Sequence, residues 1–127
     1  GLDLFPTLAE VGGAAVPDGL EGLSLCGLSQ DRATPSWRDH LVVETEIDIG
    51  DGPGGGGASR AVVTDRFKYS LYPMGRYREQ LVDLQSDPGE MVNLAVNTRF
   101  VNTLQDHRKL LRDWCKKTRD PFLKMCL

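Results

Sequence analysis

The sequence lacks the features that define several large classes of protein. Its 127 residues contain no run of about 18 apolar residues, so no membrane-spanning helix is predicted. No charged segment followed by an apolar run opens the chain, so no signal peptide is predicted. The 15 basic residues form no block and are outnumbered by 18 acidic ones, which argues against a nucleic-acid partner. Two histidines and three scattered cysteines are too few for a protein-built zinc site.

The first residue is informative as well. The chain begins at Gly1 and not at Met, and it begins inside a segment with apolar periodicity. We therefore expect a processed or truncated piece of a longer protein. The length suits one domain with a single core. The compartment stays open, because a cytoplasmic and a secreted parent are both compatible with these residues.

The first 36 residues are predicted to form a short helix and a connecting loop. Asp3 can cap a helix within residues 3–13, Pro6 is tolerated in its first turn, and Gly12 can end it. The apolar positions share one helical face: Leu4, Leu8 and Val11. Residues 20–36 show little periodicity, which predicts a loop.

The remaining residues, 37–127, predict a sheet and a long helix. Four short segments have strand character and are joined by short connections: 41–47, 60–64, 67–72 and 79–84. Apolar residues then repeat at helical spacing over residues 98–117, and Pro121 follows. We predict an α+β fold, with a four-stranded antiparallel sheet, a long C-terminal helix packed on one face, and a short helix before them.

Two histidines and a glycine-rich segment are candidates for chemistry. The glycine-rich residues 50–57 lack the Lys of a phosphate loop and lie between strands, so they predict a flexible hairpin tip. His40 could act as a general base, but no nucleophile or carboxylate partner is evident, so a position at the surface or rim is favoured. His107 lies within the long helix, where a structural role is favoured.

Cysteines and acidic residues also favour structural interpretations. Cys115 falls on the apolar stripe of the helix, where a thiol acts as a small hydrophobe, and a bridge to Cys126 is conceivable. Four carboxylates could suggest a hard-metal site: Glu44, Glu46, Asp48 and Asp51. The first two share one face of a strand, however, which is typical of a solvated side.

Four stretches occur in an order known from one enzyme family. They are Asp-Leu-Phe-Pro-Thr-Leu-Ala at 3–9, Thr-Asp-Arg-Phe-Lys-Tyr at 64–69, Leu-Val-Asp-Leu at 81–84, and Asp-Pro-Gly-Glu-Met-Val-Asn-Leu-Ala at 87–95. This set resembles the C-terminal subdomain of type I, formylglycine-dependent sulfatases of the alkaline-phosphatase-like superfamily. The resemblance implies that residues 1–36 lead out of a catalytic domain and that residues 37–127 form the C-terminal subdomain.

The resemblance also implies that the catalytic machinery lies outside this chain. Sulfatases hydrolyse sulfate esters with a formylglycine made within a Cys/Ser-x-Pro-x-Arg motif and with a calcium ion held by Asp and Asn side chains. This sequence has no such motif. We therefore predict no catalytic residue, metal ligand or cofactor in the chain, while the parent enzyme is expected to use formylglycine and calcium. Whether the chain counts as an enzyme is left open.

The resemblance implies packing on the catalytic domain, with loops that reach the rim of the substrate pocket. We predict His40, Arg60 and Lys68 as substrate-binding residues, from their strand ends or polar setting. Val63 and Val82 stand where relatives often have Arg and Tyr, and the first change removes a charge that could face an anion.

The predicted function is the C-terminal portion of a sulfuric ester hydrolase, inactive alone. Two alternatives remain. The chain could be a non-catalytic interaction module that binds a partner or forms a homo-oligomer through its exposed packing surface. It could also belong to a phosphonate or phosphate ester hydrolase, since these enzymes share parts of the architecture.

Overall fold

The computed structural model describes residues 1–30, 37–47 and 57–127. The chain forms two compact units, Gly1–Arg38 and Asp39–Leu127. The predicted hairpin tip at residues 50–57 lies almost wholly outside the described residues, as do Asp48 and Asp51 of the acidic group. Among the helices of the described residues, none is both long and apolar enough to cross a bilayer.

The first unit contains helix α1 (Leu4–Val11) and helix α2 (Cys26–Ser29). The short N-terminal helix is confirmed. Helix α2 was not predicted, because four residues are too few to show a helical period. The backbone of Gly22 passes so close to the carbonyl of Leu2 that any Cβ at this position would collide with it.

Asp3 does not cap α1 through its side chain, so that part of the prediction is wrong. Its carboxylate accepts hydrogen bonds from Arg38 Nη1 (2.8 Å) and Nη2 (2.6 Å) and from the Leu23 N–H (2.8 Å). Arg38, and then the Leu23 N–H, lower the pKa of Asp3 to about 2. The side chain therefore joins the beginning, the loop and the end of the first unit.

The second unit contains an antiparallel sheet in which every strand pairs with its neighbour in sequence. Its strands, in spatial order, are β1 (Leu41–Ile47), β2 (Gly57–Val63), β3 (Phe67–Leu71) and β4 (Glu79–Asp83). The predicted four-stranded meander is confirmed. Strand β2 begins earlier than predicted, because Gly57 pairs with Ile47 of β1 despite the low strand propensity of glycine.

Helix α3 (Val101–Thr118) follows the sheet after two 3-10 turns, Leu94–Val96 and Thr98–Phe100. The predicted long helix is confirmed, except that its first turn is 3-10, where the Asn97 side chain accepts a hydrogen bond from the Arg99 N–H. The helix ends at Arg119, which has a left-handed backbone (φ 57°). A further 3-10 helix, Pro121–Met125, then packs against α3.

One face of the sheet carries the core. We call it the helix-covered face; it includes Val62, Tyr69 and Leu81, which are aligned across β2, β3 and β4. Buried residues of the sheet, of α3 and of the last 3-10 helix form one cluster: Val62, Tyr69, Leu71, Leu81, Leu104, Leu111, Cys115 and Phe122. We call the opposite face the helix-free face, because α3 packs on the other one. It has two aligned rows: Leu41, Val63, Lys68 and Val82, and next to it Val43, Ala61, Ser70 and Gln80.

Candidate functional site

His40 lies immediately before β1, beside a carboxylate. Its Nδ1 is 2.6 Å from Oδ1 of Asp39. The hydrogen bond from His40 holds the pKa of Asp39 below its ordinary value. The expectation that His40 lacks a carboxylate partner is therefore wrong. The two residues are adjacent in sequence, but only the side-chain orientations show that they meet. A bond at Nδ1 makes Nε2 the ring nitrogen suited to an external contact.

Arg60 lies on the helix-covered face, where its guanidinium is buried. Nε donates to Oδ2 of Asp120 at 2.9 Å, and Nη2 lies 3.4 Å from Oδ1 of the same side chain. Nη1 donates to the Ser59 carbonyl at 3.0 Å, and Glu44 Oε2 lies 3.3 Å from Nη2. The guanidinium also lies over the ring of Phe122, at 5.2 Å. These contacts anchor β2 to the segment that follows α3.

Lys68 lies on the helix-free face and forms an ion pair with Glu90. Glu90 has a left-handed backbone (φ 56°), which is strained for a side chain with a Cβ. Arg60 and Lys68 project from opposite faces of the sheet, and His40 lies outside the strands. The structure therefore does not bring the three predicted residues into one cluster, and their contact with substrate stays a prediction.

A partly buried polar network that the sequence did not reveal joins the sheet to α3. Tyr69 Oη and Arg108 Nε both donate to Glu79 Oε1, each at 2.7 Å. Burial raises the pKa of Glu79, but the hydrogen bonds from Arg108 and Tyr69 outweigh it and hold the pKa below its ordinary value. Burial, and then the bond to Glu79, raise the pKa of Tyr69. At neutral pH Glu79 is thus a charged anchor, and neither group is suited to proton transfer.

The family-like motif at residues 87–95 closes the outer edge of β4. Asn93 Oδ1 accepts a hydrogen bond from the Leu81 N–H at 3.1 Å, and Asn93 Nδ2 donates to the Glu79 carbonyl at 2.9 Å. Asp87 accepts from the Val92 N–H at 2.8 Å, which holds the turn before Asn93. The side chain of Asn93 therefore does what a fifth strand would do at this edge, because it satisfies backbone groups that would otherwise be unpaired.

The edge formed by β1 differs from the β4 edge. Within the described residues, β1 pairs with β2 and with no other strand. Leu41 and Val43 project onto the helix-free face and are 38% and 42% exposed. Natural sheets cover such an edge or place charges on it, because exposed backbone groups beside apolar side chains promote pairing with another chain. The exposed Glu44 and Glu46 of β1 supply charge on the helix-covered face, whereas Leu41 and Val43 leave the other face of the strand apolar. We call Leu41, Val43 and the outer edge of β1 the β1 surface.

A second exposed apolar feature lies in the first unit. The buried residues of α1 are Pro6 and Ala9. The predicted apolar stripe of Leu4, Leu8 and Val11 is 59%, 60% and 73% exposed. The spacing therefore predicts the helix correctly, but the stripe does not pack into the described part of the first unit.

The described residues contain no constellation for sulfate chemistry. They bring together no three His, Cys, Asp or Glu side chains that could bind a metal ion. His107 is buried, with Nδ1 2.8 Å from the Thr103 carbonyl and Nε2 3.4 Å from Thr64 Oγ1, so its contacts are structural. The donor set of the described residues therefore does not fit a calcium ion.

Comparison with known structures defines the class of protein. The fold matches a 2-O GAG sulfatase with a TM-score of 0.82 and 32% identity, over 94% of this chain and 25% of that one. It also matches the phosphonate monoester hydrolase of Agrobacterium radiobacter with a TM-score of 0.67 and 26% identity, over 91% of this chain and 24% of that one. The chain is thus a C-terminal sulfatase domain of the alkaline-phosphatase-like superfamily.

The sequence comparisons give the family. The chain belongs to the family "N-sulphoglucosamine sulphohydrolase, C-terminal", which it matches over residues 1–117. It is 34% identical over 123 residues to the Delta 4,5-hexuronate-2-O-sulfatase of Bacteroides thetaiotaomicron, which covers 95% of this chain and 24% of that protein. The predicted resemblance to sulfatases is confirmed. The chain spans about a quarter of the length of these relatives.

Proposed function

We propose that this chain docks on the catalytic portion of a sulfate ester hydrolase through the β1 surface. The observation that carries the proposal is the contrast between the two edges of the sheet. Asn93 closes the β4 edge, whereas the β1 edge has exposed Leu41 and Val43 beside it. An edge that pairs with no further strand of the described residues and has apolar neighbours favours a protein partner that supplies both a strand or loop and an apolar surface.

The relatives support the identity of that partner. Their remaining three quarters has no counterpart in this chain, so a sulfatase-type catalytic portion is the partner that the family match favours. Formylglycine and calcium are expected to come with it. The names of one relative and of the family refer to sulfated sugars: Delta 4,5-hexuronate-2-O-sulfatase and N-sulphoglucosamine sulphohydrolase. We therefore propose a sulfated sugar as the substrate class of the assembled enzyme.

His40 and Lys68 are the better candidates for contact with that substrate. His40 adjoins Leu41, and Leu41, Val63 and Lys68 are consecutive members of one row on the helix-free face. Neighbouring strands lie about 4.8 Å apart, so Lys68 lies about 10 Å from Leu41 across the sheet. Arg60 is enclosed by protein groups, and its proposed contribution is to hold the C-terminal segment in place.

The test is a chimera in which this chain replaces the matched quarter of the Bacteroides sulfatase. The chimera is expected to fold and to hydrolyse its sulfated hexuronate substrate, whereas the isolated chain should show no sulfatase activity. Val43→Asp should reduce the yield of soluble, active chimera at least about tenfold, because a charge on the β1 surface opposes apolar docking. Val101→Asp is the matched control, since Val101 is 50% exposed at the start of α3.

Three outcomes would contradict the proposal: turnover by the isolated chain, an inactive chimera of normal stability, or equal effects of the two Asp substitutions. His40→Ala and Lys68→Ala should raise the KM of the chimera without reducing its stability. Glu90→Gln breaks the ion pair with Lys68 but leaves the positive charge of Lys68 in place. This substitution should leave the KM of the chimera nearly unchanged.

The fold likeness to a phosphonate monoester hydrolase supports a second candidate. It is decided by the coding sequence on the N-terminal side of Gly1, because a catalytic portion encoded there would identify the hydrolase. Self-association through the β1 surface is the remaining alternative. Light scattering of the isolated chain tests it, since Val43→Asp should then convert an oligomer into a monomer.

A further inference from the structure

A cysteine of the core meets a second cysteine, from a different element, in the second unit. The Sγ atoms of Cys115, on α3, and Cys126, just after the last 3-10 helix, are 3.9 Å apart. Cys115 is fully buried and Cys126 is partly exposed. The Sγ of Cys126 also lies 3.8 Å from the carbonyl of Phe122, in the 3-10 helix that precedes it. The sulfur atoms are therefore in contact although both thiols are reduced.

We propose that Cys115 and Cys126 are a redox-active dithiol, which closes to an intramolecular disulfide by exchange with a small-molecule disulfide such as oxidised glutathione. The bridge would attach the 3-10 helix Pro121–Met125 covalently to α3. This inference does not depend on the proposed docking function, because neither cysteine belongs to the β1 surface.

The exposures of the two thiols set the order of the steps. The accessible Cys126 thiolate attacks one sulfur of the external disulfide, whose S–S bond breaks and releases one small thiolate. The buried Cys115 then attacks Sγ of the mixed disulfide on Cys126 and expels the second small thiolate. The protons of the two cysteines pass to the two released thiolates. The protein loses two electrons and two protons, and the external disulfide gains them.

The environment of the pair predicts a slow reaction at neutral pH. Burial, followed by the neighbouring Cys126, raises the pKa of Cys115 to about 12. Burial also raises the pKa of Cys126. Because the thiolate is the attacking form, the rate of closure should increase as the pH is raised from about 7 to about 9.

One cysteine of the pair lies outside the residues that match the family model, and the bridge would enclose residues that contact Arg60. Cys115 falls within the matched residues 1–117, whereas Cys126 lies beyond them. The ring closed by the bridge includes Asp120 and Phe122, both of which contact Arg60. Closing a short loop restricts the unfolded chain, so oxidation should secure these contacts against unfolding.

The experiment uses the full chain with Cys26→Ser, which removes the third thiol and leaves the pair intact. The protein is incubated with a glutathione redox buffer, its remaining thiols are blocked with iodoacetamide in denaturant at about pH 8, and it is digested with trypsin. Cleavage after Arg112, Lys116 and Lys124 should yield residues 113–116 linked to residues 125–127. On oxidation, the midpoint of thermal unfolding should rise by on the order of 10 °C, and dithiothreitol should return it to the value of the reduced protein.

Cys126→Ser is the matched variant, because it alters the partly exposed member and spares the buried one. It should abolish both the linked peptide and the thermal shift. Three outcomes would overturn the proposal. Both cysteines could be found alkylated on separate peptides, Cys126 could remain as the mixed disulfide with glutathione, or the disulfide could join two chains. If Cys126→Ser fails to fold, the peptide map of the Cys26→Ser protein decides alone.

Discussion

Replacing Asp120 with Asn should destabilise the second unit strongly, because it leaves the charge of Arg60 buried without its main partner. The side chains of Arg60 and Asp120 are only 6% and 5% exposed. Asn keeps the size of Asp and retains an oxygen that can accept from the Phe122 N–H, now 2.7 Å from the carboxylate. The change therefore removes the charge and preserves the cap of the last 3-10 helix.

The expected magnitude follows from the contacts of Arg60. Breaking a buried ion pair by removing one charge costs roughly 3–5 kcal/mol. Glu44 remains 3.3 Å from the guanidinium, but its side chain is 57% exposed. Such a partner offsets about 0–1 kcal/mol. Asp120→Asn should therefore lower the free energy of unfolding by about 2–5 kcal/mol.

Urea unfolding followed by the fluorescence of Trp114, with Trp37→Phe as the background, measures this effect in the second unit. Glu44→Gln is the control, because it removes the exposed partner of the same guanidinium, and it should cost only about 0–1 kcal/mol. Combining Asp120→Asn with Arg60→Met should recover much of the loss, since no unpaired charge is then buried. Equal losses for Asp120→Asn and Glu44→Gln, within about 0.5 kcal/mol, would refute the reasoning.

Three further predictions concern α3 and the first unit. Leu111→Ala should cost about 2–5 kcal/mol in urea unfolding, because Leu111 is 1% exposed, whereas the exposed Val101→Ala should change stability by less than about 0.5 kcal/mol. Arg119→Gly should stabilise by about 0.5–1 kcal/mol in thermal unfolding and Arg119→Ala should not, because the left-handed backbone at Arg119 disfavours any Cβ. The pKa of Asp3 is lowered from 3.8 to about 2, so its contribution is present above about pH 4 and is lost as the pH falls toward 2. Acid unfolding monitored by Trp37 fluorescence should show this loss, and Asp3→Asn should remove it.

The sheet and α3 could be predicted because their signals are local. Alternation and β-branched residues mark β1, and buried positions spaced by three or four residues mark α3 from Leu104 to Cys115. The start of β2 could not be predicted, since the pairing of Gly57 with Ile47 depends on the partner strand. Helix α2 and the 3-10 turns are too short for a period to develop.

The candidate site residues show the same division between local patterns, which the sequence contains, and contacts that depend on the fold. The Asn93 motif is recognisable in the sequence, but its role in closing β4 requires knowing which strand forms an edge. The contacts of Arg60 with Asp120 and of Glu79 with Arg108 join residues 60 and 29 positions apart, a separation that no pattern in a single sequence encodes. His40 and Asp39 are adjacent, yet their contact depends on rotamers.

The separation between Arg60 and Asp120 also bears on how the protein is made. At a synthesis rate of about 5–20 residues per second, Asp120 follows Arg60 by about 3–12 s. The strands pair with sequence neighbours and can associate during this interval, but the guanidinium must stay in water until its carboxylate arrives. The helix-covered face of the nascent sheet therefore remains open through most of synthesis. The core closes only when the segment after α3 has left the ribosome.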